Sequence, residues 1–156
     1  MLVGIMSDTH ENMPQIAKAV AYFNRQKVDL VIHAGDFISP MCARLLEKLE
    51  APLVAVFGNN DGDHVVWREK IKSFGEIHDS PWEYNCQGYA FLVMHVPHAI
   101  DELAASQKYD AVVYGHTHQV DQRIVGKTVI INPGEAGGWL YDHHTIALLR
   151  LPERTS

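Results

Sequence analysis

The segment Leu2-Val3-Gly4-Ile5-Met6-Ser7-Asp8-Thr9-His10 decides the fold of this chain, because an apolar run stops abruptly at polar residues. Four further segments repeat this arrangement. They are Leu30–His33 leading through Gly35 to Asp36, Leu53–Gly58 leading to Asn59, Phe91–Met94 leading to His95, and Ala111–Gly115 leading to His116 and His118. Short apolar runs followed by turn residues are typical of buried strands. Ligands of open α/β sheets gather beyond the carboxyl ends of the strands, so these polar residues are predicted to meet at one place.

The polar residues after the five predicted strands form a set of seven oxygen and nitrogen donors. They are Asp8, His10, Asp36, Asn59, His95, His116 and His118. Seven donors are too many for one tetrahedral metal and suit two metals that share a carboxylate. The mixture of nitrogen and oxygen favours Mn2+, Ni2+, Co2+, Fe2+ or Zn2+ over Ca2+ and Mg2+, which prefer oxygen. We therefore expect two divalent ions, with Mn2+ as the first choice.

The spacing of the donors supports their convergence. Asp8 and His10 are two residues apart, as are His116 and His118. In an extended segment, residues with this spacing face the same way, so both members of the first pair are predicted to reach one cation.

Composition limits the class of protein and the kind of partner. The chain has 156 residues, 47% of them hydrophobic and 21% charged, which predicts one soluble globular domain over residues 1–156. The net charge is −6 and the 13 basic residues are scattered. This argues against duplex nucleic acid as a partner and leaves a small phosphate ester. Pairing of a hydrophobic edge strand would give a homo-oligomer.

The location is predicted from the cysteines and the apolar runs. Cys42 and Cys86 lie in no CxxC pattern and are expected to be reduced thiols in a cytoplasmic protein. We expect no signal peptide and no membrane segment, because the apolar runs are short.

The first half of the sequence alternates predicted strands and helices. Asn12 is expected to cap a helix, with Gln15 as the capping-box partner. The apolar face of this helix is predicted to comprise Met13, Ile16, Ala17, Val20 and Phe23. A second helix is expected to start at Ser39-Pro40 and to end before Pro52, and a third is expected after Asp63 as its cap.

The second half is richer in strand signals. Hairpins are predicted around residues 85–88 and around Gly126-Lys127, where Gly in the first position suits a type II′ turn. One helix, Ala99–Gln107, lies between them, and the last strand is expected at Thr145–Leu151. This order predicts a mixed sheet, or two sheets packed face to face with helices outside.

The motifs together resemble the calcineurin-like metallophosphoesterase superfamily, in particular its small bacterial and archaeal phosphodiesterase branch. The matching residues are Asp8-Thr9-His10, Gly35-Asp36, Gly58-Asn59-Asn60-Asp61, His95, Gly115-His116-Thr117-His118 and Asn132-Pro133-Gly134. The resemblance implies a four-layer α/β/β/α sandwich of two mixed sheets flanked by helices. It implies one metal held by Asp8, His10, Asp36 and His118, and a second held by Asp36, Asn59, His95 and His116.

The resemblance also implies a phosphoesterase, more specifically a phosphodiesterase acting on small phosphate esters. A water that bridges two cations has a lowered pKa and would attack phosphorus in line. The alternative is a non-catalytic scaffold for protein interaction, as in a retromer subunit of this superfamily. The complete set of seven donors favours the enzyme. A metallo-β-lactamase-like hydrolase ranks last, because the HxHxDH run of that family is absent.

Two positions depart from the pattern of the superfamily, and they are the candidate catalytic residues. Asn60 stands where better-known relatives have a His that serves the leaving group, and asparagine is no useful proton donor near neutral pH. His98 stands one residue beyond the second His of the branch's usual His-Gly-His. We therefore expect a preference for esters with good leaving groups. His33 is expected to be a core histidine with satisfied hydrogen bonds.

Overall fold

The computed structural model describes residues 1–152, which form two five-stranded sheets and four α-helices. The strands are β1 (Leu2–Met6), β2 (Leu30–His33), β3 (Leu53–Val56), β4 (Gly75–His78), β5 (Trp82–Cys86), β6 (Tyr89–Val93), β7 (Ala111–Val113), β8 (Val120–Val125), β9 (Thr128–Pro133) and β10 (Ala147–Arg150). The helices are α1 (Met13–Gln26), α2 (Ala43–Leu46), α3 (His64–Ile71) and α4 (Ile100–Ala105). A 3-10 turn, Pro40–Cys42, precedes α2.

Both sheets are mixed. The five predicted apolar runs correspond, in chain order, to strands β1, β2, β3, β6 and β7. The first sheet has the order β10-β1-β2-β3-β4, in which only β10 is antiparallel to its neighbour. The second sheet has the order β5-β6-β7-β9-β8, with β6, β7 and β9 parallel. The carboxyl ends of β1, β2 and β3 therefore lie at one edge, and those of β6 and β7 lie together in the second sheet.

Three apolar clusters define the layers. One cluster fills the space between the sheets, with Ile5, Ile32 and Val54 from the first and Phe91 and Val113 from the second. A second cluster packs α1, α2 and α3 on the outer face of the first sheet. A third packs α4 on the outer face of the second sheet. The predicted four-layer α/β/β/α sandwich is confirmed.

The first helix forms as predicted in all but two respects. The Asn12 side chain accepts a hydrogen bond from the Gln15 backbone nitrogen at 3.4 Å. The prediction of a capping box is wrong, because the Asn12 backbone nitrogen donates to the Thr9 carbonyl and not to the Gln15 side chain. The apolar face includes buried Ala19, whereas Ala17 is exposed, since the face is centred one residue away from the predicted stripe.

The second predicted helix is wrong in length. It is divided into the 3-10 turn and the four-residue α2, followed by a turn that still buries Leu49. The Asn24 side chain explains this early end. It donates to the Lys48 carbonyl at 2.8 Å and accepts from the Glu50 nitrogen at 3.0 Å, which fixes these backbone groups outside a helix.

Smaller corrections concern the third helix and the strands. Asp63 stands at the cap of α3 in a left-handed conformation, and its side chain makes no capping hydrogen bond. Strand β4 was not predicted, because Ile77 is the single large apolar residue in Gly75–His78. The first hairpin turns on two residues, Gln87 and Gly88, rather than on four. No helix within residues 1–152 has both the length and the hydropathy needed to cross a bilayer.

Candidate metal centre

The structure brings all seven predicted donors to one end of the sandwich. Asp8 and His10 follow β1, Asp36 follows β2 and Asn59 follows β3. His95 follows β6, and His116 and His118 follow β7. Each sheet therefore supplies part of the site. This agrees with the prediction that the polar residues after the carboxyl ends of the strands meet at one place.

The first group of donors surrounds the side chain of Asp8. Asp8 Oδ1 lies 3.3 Å from His118 Nε2 and 3.8 Å from His10 Nε2. The two imidazole nitrogens are 3.4 Å apart. Two imidazoles bound tetrahedrally to one ion at ~2.1 Å place their nitrogens about 3.4 Å apart. These three residues could hold one metal ion.

The second group lies around Asn59 and His95. Asn59 Oδ1 is 2.9 Å from His95 Nε2 and 2.9 Å from His116 Nδ1. His95 Nε2 is also 3.4 Å from Asp36 Oδ1. The other oxygen of Asp36 is 3.6 Å from His10 Nε2, so the carboxylate of Asp36 faces histidines of both groups. The carboxylate of Asp8 contacts the second group as well, because its Oδ2 accepts a hydrogen bond from the backbone nitrogen of His116 at 3.1 Å.

The hydrogen bonds of His95 show that this donor set fits a cation. His95 Nδ1 donates to the Ala34 carbonyl at 2.8 Å, so Nε2 of the neutral ring carries a lone pair. That lone pair points toward the oxygens of Asn59 and Asp36, which are lone-pair groups too. A proton or a positive ion between these atoms removes the repulsion, and a metal-binding histidine commonly donates its other nitrogen to a carbonyl.

A buried polar atom without a hydrogen bond points to the same conclusion. Asp8 Oδ1 is buried and accepts no hydrogen bond from residues 1–152. An unpartnered buried carboxylate oxygen is costly unless a cation neutralises it. The first donor group therefore also fits a divalent ion.

Backbone conformation at the donors is unusual. Five of the seven have a positive φ: Asp8 (53°), His10 (40°), Asp36 (60°), His116 (66°) and His118 (59°). Such conformations cost about 1–3 kcal/mol each in residues other than glycine and concentrate at functional sites. Asp8 and His10 therefore converge through a tight turn, and the extended segment predicted for them is wrong.

Two glycines allow the donor loops to approach each other closely. A Cβ atom on Gly58 would lie 2.1 Å from Asp36 Oδ1. A Cβ atom on Gly115 would lie 2.0 Å from Ser7 Oγ and 2.8 Å from Asp8 Oδ2. Any larger residue at either position would displace a donor carboxylate.

Known proteins share this sequence and this architecture. A family model described as the calcineurin-like phosphoesterase superfamily domain matches residues 1–154. A phosphodiesterase of Methanocaldococcus jannaschii is 40% identical over 153 residues, covering 96% of this chain and 92% of that protein. A solved structure of an archaeal phosphodiesterase is 37% identical, with a TM-score of 0.91, and covers 99% of this chain and 96% of that chain.

This chain belongs to the calcineurin-like phosphoesterase superfamily. It is a phosphoesterase, and membership of the superfamily implies divalent metal ions. The fold also occurs in Vps29 of Entamoeba histolytica, solved as a complex with Zn2+. That structure is 20% identical, has a TM-score of 0.67 and covers 97% of this chain and 87% of that chain, so the likeness concerns the fold alone.

Asn60 lies against the central carboxylate of this phosphoesterase. Its backbone nitrogen donates to Asp36 Oδ1 at 2.9 Å, and its side-chain Nδ2 donates to Oδ2 at 2.7 Å. Burial alone would raise the pKa of Asp36, but the neighbouring His95 and the hydrogen bonds from Asn60 outweigh it and hold the pKa well below its usual value. Asp36 is therefore ionised and fixed in orientation.

Asp61 is a structural residue of the site that the sequence analysis did not single out. Its carboxylate accepts hydrogen bonds from four backbone nitrogens, those of Asp36, Phe37, Ile38 and Gly58, at 2.6–3.0 Å. Burial raises the pKa of Asp61 despite these bonds. Asp61 joins the loop after β2 to the loop after β3. Its place two residues after Asn59 is the signal that could have identified it.

Glu135 was also missed and contacts a predicted metal ligand. Its carboxylate is buried and accepts hydrogen bonds from the backbone nitrogens of Trp139, at 2.7 Å, and Leu140, at 3.1 Å. Its Oε2 lies 3.3 Å from His118 Nδ1. The acidic residue directly after Asn132-Pro133-Gly134 is the signal in the sequence.

His33 lies beneath the site and is a core histidine, as predicted. Its Nδ1 accepts from the Gly35 nitrogen at 3.1 Å, so Nε2 donates to Thr9 Oγ1 at 3.1 Å. Its ring stacks on Phe37 with a centroid distance of 3.5 Å. Complete burial holds the pKa of His33 well below its ordinary value. Both ring nitrogens are engaged, so His33 supports the loops and does not face the donors.

His98 lies at the surface, at the edge of a cavity of 720 Å3 that Asn59 and His95 also line. Trp139 lies beside the first donor group, where its Nε1 donates to the His10 carbonyl at 3.0 Å. The two candidate catalytic residues have different surroundings in the structure. Asn60 contacts Asp36, whereas His98 borders the cavity.

Proposed function

We propose that this phosphoesterase is a phosphodiesterase with a dinuclear metal site, in which the Asp36 carboxylate is shared between two divalent ions. The observation that supports this proposal is the position of Asp36. One of its oxygens lies 3.4 Å from His95 Nε2 and the other lies 3.6 Å from His10 Nε2. We assign Asp8, His10 and His118 to one ion and Asn59, His95 and His116 to the other.

When bound, divalent ions supply a Lewis acid for phosphate oxygens and lower the pKa of coordinated water. The residues of the chain position these groups. Asn60 holds Asp36 in a single orientation through two hydrogen bonds, and Asp61 fixes the loops that carry Asp36 and Asn59. No Lys or Arg among residues 1–152 contacts these donors, so neutralisation of the phosphate depends on the metals.

The substrate in this proposal is a small phosphate ester. The net charge of −6 and the scattered basic residues oppose binding of duplex nucleic acid, and the metals would supply the local positive charge. Mn2+ is our first choice of metal, and a cytoplasmic location agrees with the free thiols of Cys42 and Cys86. A homo-oligomer remains a prediction that sizing chromatography will test.

We assign different roles to the two candidate catalytic residues. Asn60 is a positioning residue for Asp36, because both of its nitrogens are used in that contact. His98 is the candidate proton donor to the leaving group, because it borders the cavity beside Asn59 and His95.

The alternative function is a scaffold for protein interaction on the same fold, the fold that Vps29 also has. A scaffold needs no converging lone pairs, and it gains nothing from the buried, unpartnered oxygen of Asp8. The phosphodiesterase at 40% identity over nearly the whole chain also favours the enzyme.

Metal-by-substrate profiling of chelator-stripped protein tests the proposal. The protein is supplied with each divalent ion in turn and assayed with one aryl diester and one aryl monoester. We expect hydrolysis to return with two metal equivalents per chain, measured by elemental analysis. Binding of no metal, with no hydrolysis under any ion, would favour the scaffold.

An Asp36→Ala variant sharpens this test. We expect activity to fall more than about 100-fold on every substrate. This loss is larger than the one usually caused by substituting a residue that only supports the metal ligands. The matched control is Asp101→Ala, whose carboxylate is exposed and pairs with Arg123. Full activity of the Asp36 variant would refute the shared carboxylate.

A further inference from the structure

A cavity of 720 Å3 lies directly beside the proposed second metal site. Its floor is apolar, formed by Leu92, Met94 and Phe57, each no more than 5% exposed. Leu103 of α4 forms one wall. Cavities of this size and composition accommodate ring-sized organic groups.

The cavity is continuous with the donors of the site. Asn59 and His95 line it, and the same two side chains meet at 2.9 Å in the second donor group. Asn59 also contacts His116. A phosphate held at these donors would therefore place one of its ester groups at the mouth of the cavity.

The charges around the cavity exclude a second anion. Its lining contains neither Lys nor Arg, and its one carboxylate belongs to Glu83. That carboxylate is engaged by Lys108 Nζ and Tyr109 Oη, both at 2.6 Å. The His98 imidazole stands only at the rim, so a further phosphate or carboxylate on the substrate would find no counter-charge on the apolar floor, and burying it unpaired is costly.

We propose that this cavity binds an uncharged, apolar organic group of the phosphodiester, such as an aromatic ring or a branched alkyl chain. The proposal rests on the proposed function, because it takes the phosphate to lie at Asp36, Asn59 and His95. It narrows the substrate class to diesters with at least one apolar group. Esters whose organic groups both carry further phosphates are excluded.

Binding of phosphonates tests the cavity separately from catalysis. Phenylphosphonate and methylphosphonate share one head group and differ in the group that would enter the cavity. We expect metal-loaded protein to bind phenylphosphonate at least about tenfold more tightly by calorimetry, since even one methylene in an apolar pocket changes discrimination by that factor. A ratio near one would overturn the proposal.

Two variants place the preference in this cavity. Leu103→Glu puts a charge on its wall, and Val96→Glu does so at its rim, where the side chain is half exposed and replacement does not threaten folding. We expect the phenyl-to-methyl ratio to fall below about threefold in both. The matched control is Leu45→Glu, since Leu45 is also partly buried but lies on the helical layer of the other sheet, and this variant should keep the wild-type ratio. A ratio that neither cavity variant changes would refute the assignment.

The outcomes separate this proposal from the proposed function. Hydrolysis of aryl diesters without a phenyl preference would retain the enzyme and reject the cavity. A phenyl preference that depends on Leu103 and Val96, without hydrolysis of any ester, would retain the cavity and reject the enzyme.

Discussion

Asn60 donates two hydrogen bonds to Asp36, one from its backbone nitrogen at 2.9 Å and one from its side chain at 2.7 Å. The side chain at position 60, where the resemblance to the superfamily implies a histidine, is therefore bound to a carboxylate. An amide in this position cannot protonate a leaving group.

The first prediction concerns the leaving group. For a series of aryl diesters, we expect the rate to fall as the pKa of the leaving phenol rises, because Asn60 supplies no proton and His98, exposed at the rim of the cavity, replaces that function only in part. Asn60→His should flatten this dependence. Initial rates across the series measure both slopes, and a flat series for the wild-type enzyme would contradict the role given to Asn60.

A second prediction tests the proton donor proposed at the rim of the cavity. His98→Gln should lose little activity on the best leaving groups and about 100-fold on the poorest, the range of general acid catalysis. His143→Gln is the control, since His143 is an exposed histidine in another loop. Equal losses across the series would exclude proton donation by His98.

The third prediction concerns Asp61. Asp61→Ala leaves four backbone nitrogens without their acceptor, so we expect the free energy of unfolding to fall by about 3 kcal/mol. Urea unfolding of metal-free protein measures this loss. Asp79→Ala removes an exposed partner of Arg68 and should cost under about 1 kcal/mol. Equal stabilities of the two variants would show that Asp61 does not hold the loops.

The fourth prediction is a dependence of stability on pH that arises from His33. Because burial holds its pKa below the ordinary value of 6.5, the unfolded chain binds a proton more readily than the folded one. Stability should therefore fall as the pH drops below 6.5, by up to about 1.4 kcal/mol per pH unit.

Comparison with His33→Gln isolates this contribution. The pKa of His10 is raised, chiefly by its hydrogen bond with Asp8. Although burial opposes this shift, the pKa of His95 is raised by Asp36. The contributions of these two residues to stability therefore change with pH in the direction opposite to that of His33. They remain in both proteins and cancel in the difference. Urea unfolding of metal-free protein at pH 7 and pH 5.5 should show a shallower loss in the variant. Parallel losses would contradict the assignment to His33.

Much of the fold and the site follows from the sequence. The apolar runs identify the strands that matter, because a buried strand ends at a defined edge and its next polar residue must lie there. The convergence of Asp8, Asp36 and His95 was thus predictable from strand order. The sorting of donors into two metals came from resemblance to a known family, since strand order alone does not say which donors share an ion.

The residues that support the site were not predictable in the same way. The place of Asp61 two residues after Asn59 marks it as a candidate, but the sequence does not show which backbone amides its carboxylate binds. Glu135 contacts His118 from a loop between β9 and β10, and that distance depends on how the loop folds. Strand β4 was missed because its pairing with β3 compensates for a sequence with little apolar character.

The donors come from both sheets, and 108 residues separate Asp8 from His116 along the chain. A nascent polypeptide therefore exposes Asp8 and Asp36 long before the imidazoles of the second sheet are synthesised. Truncated or newly emerging fragments hold only some of the seven proposed metal donors. If the proposed ligands are correct, ion uptake depends on completion of the whole sandwich and can serve as a late reporter of correct folding.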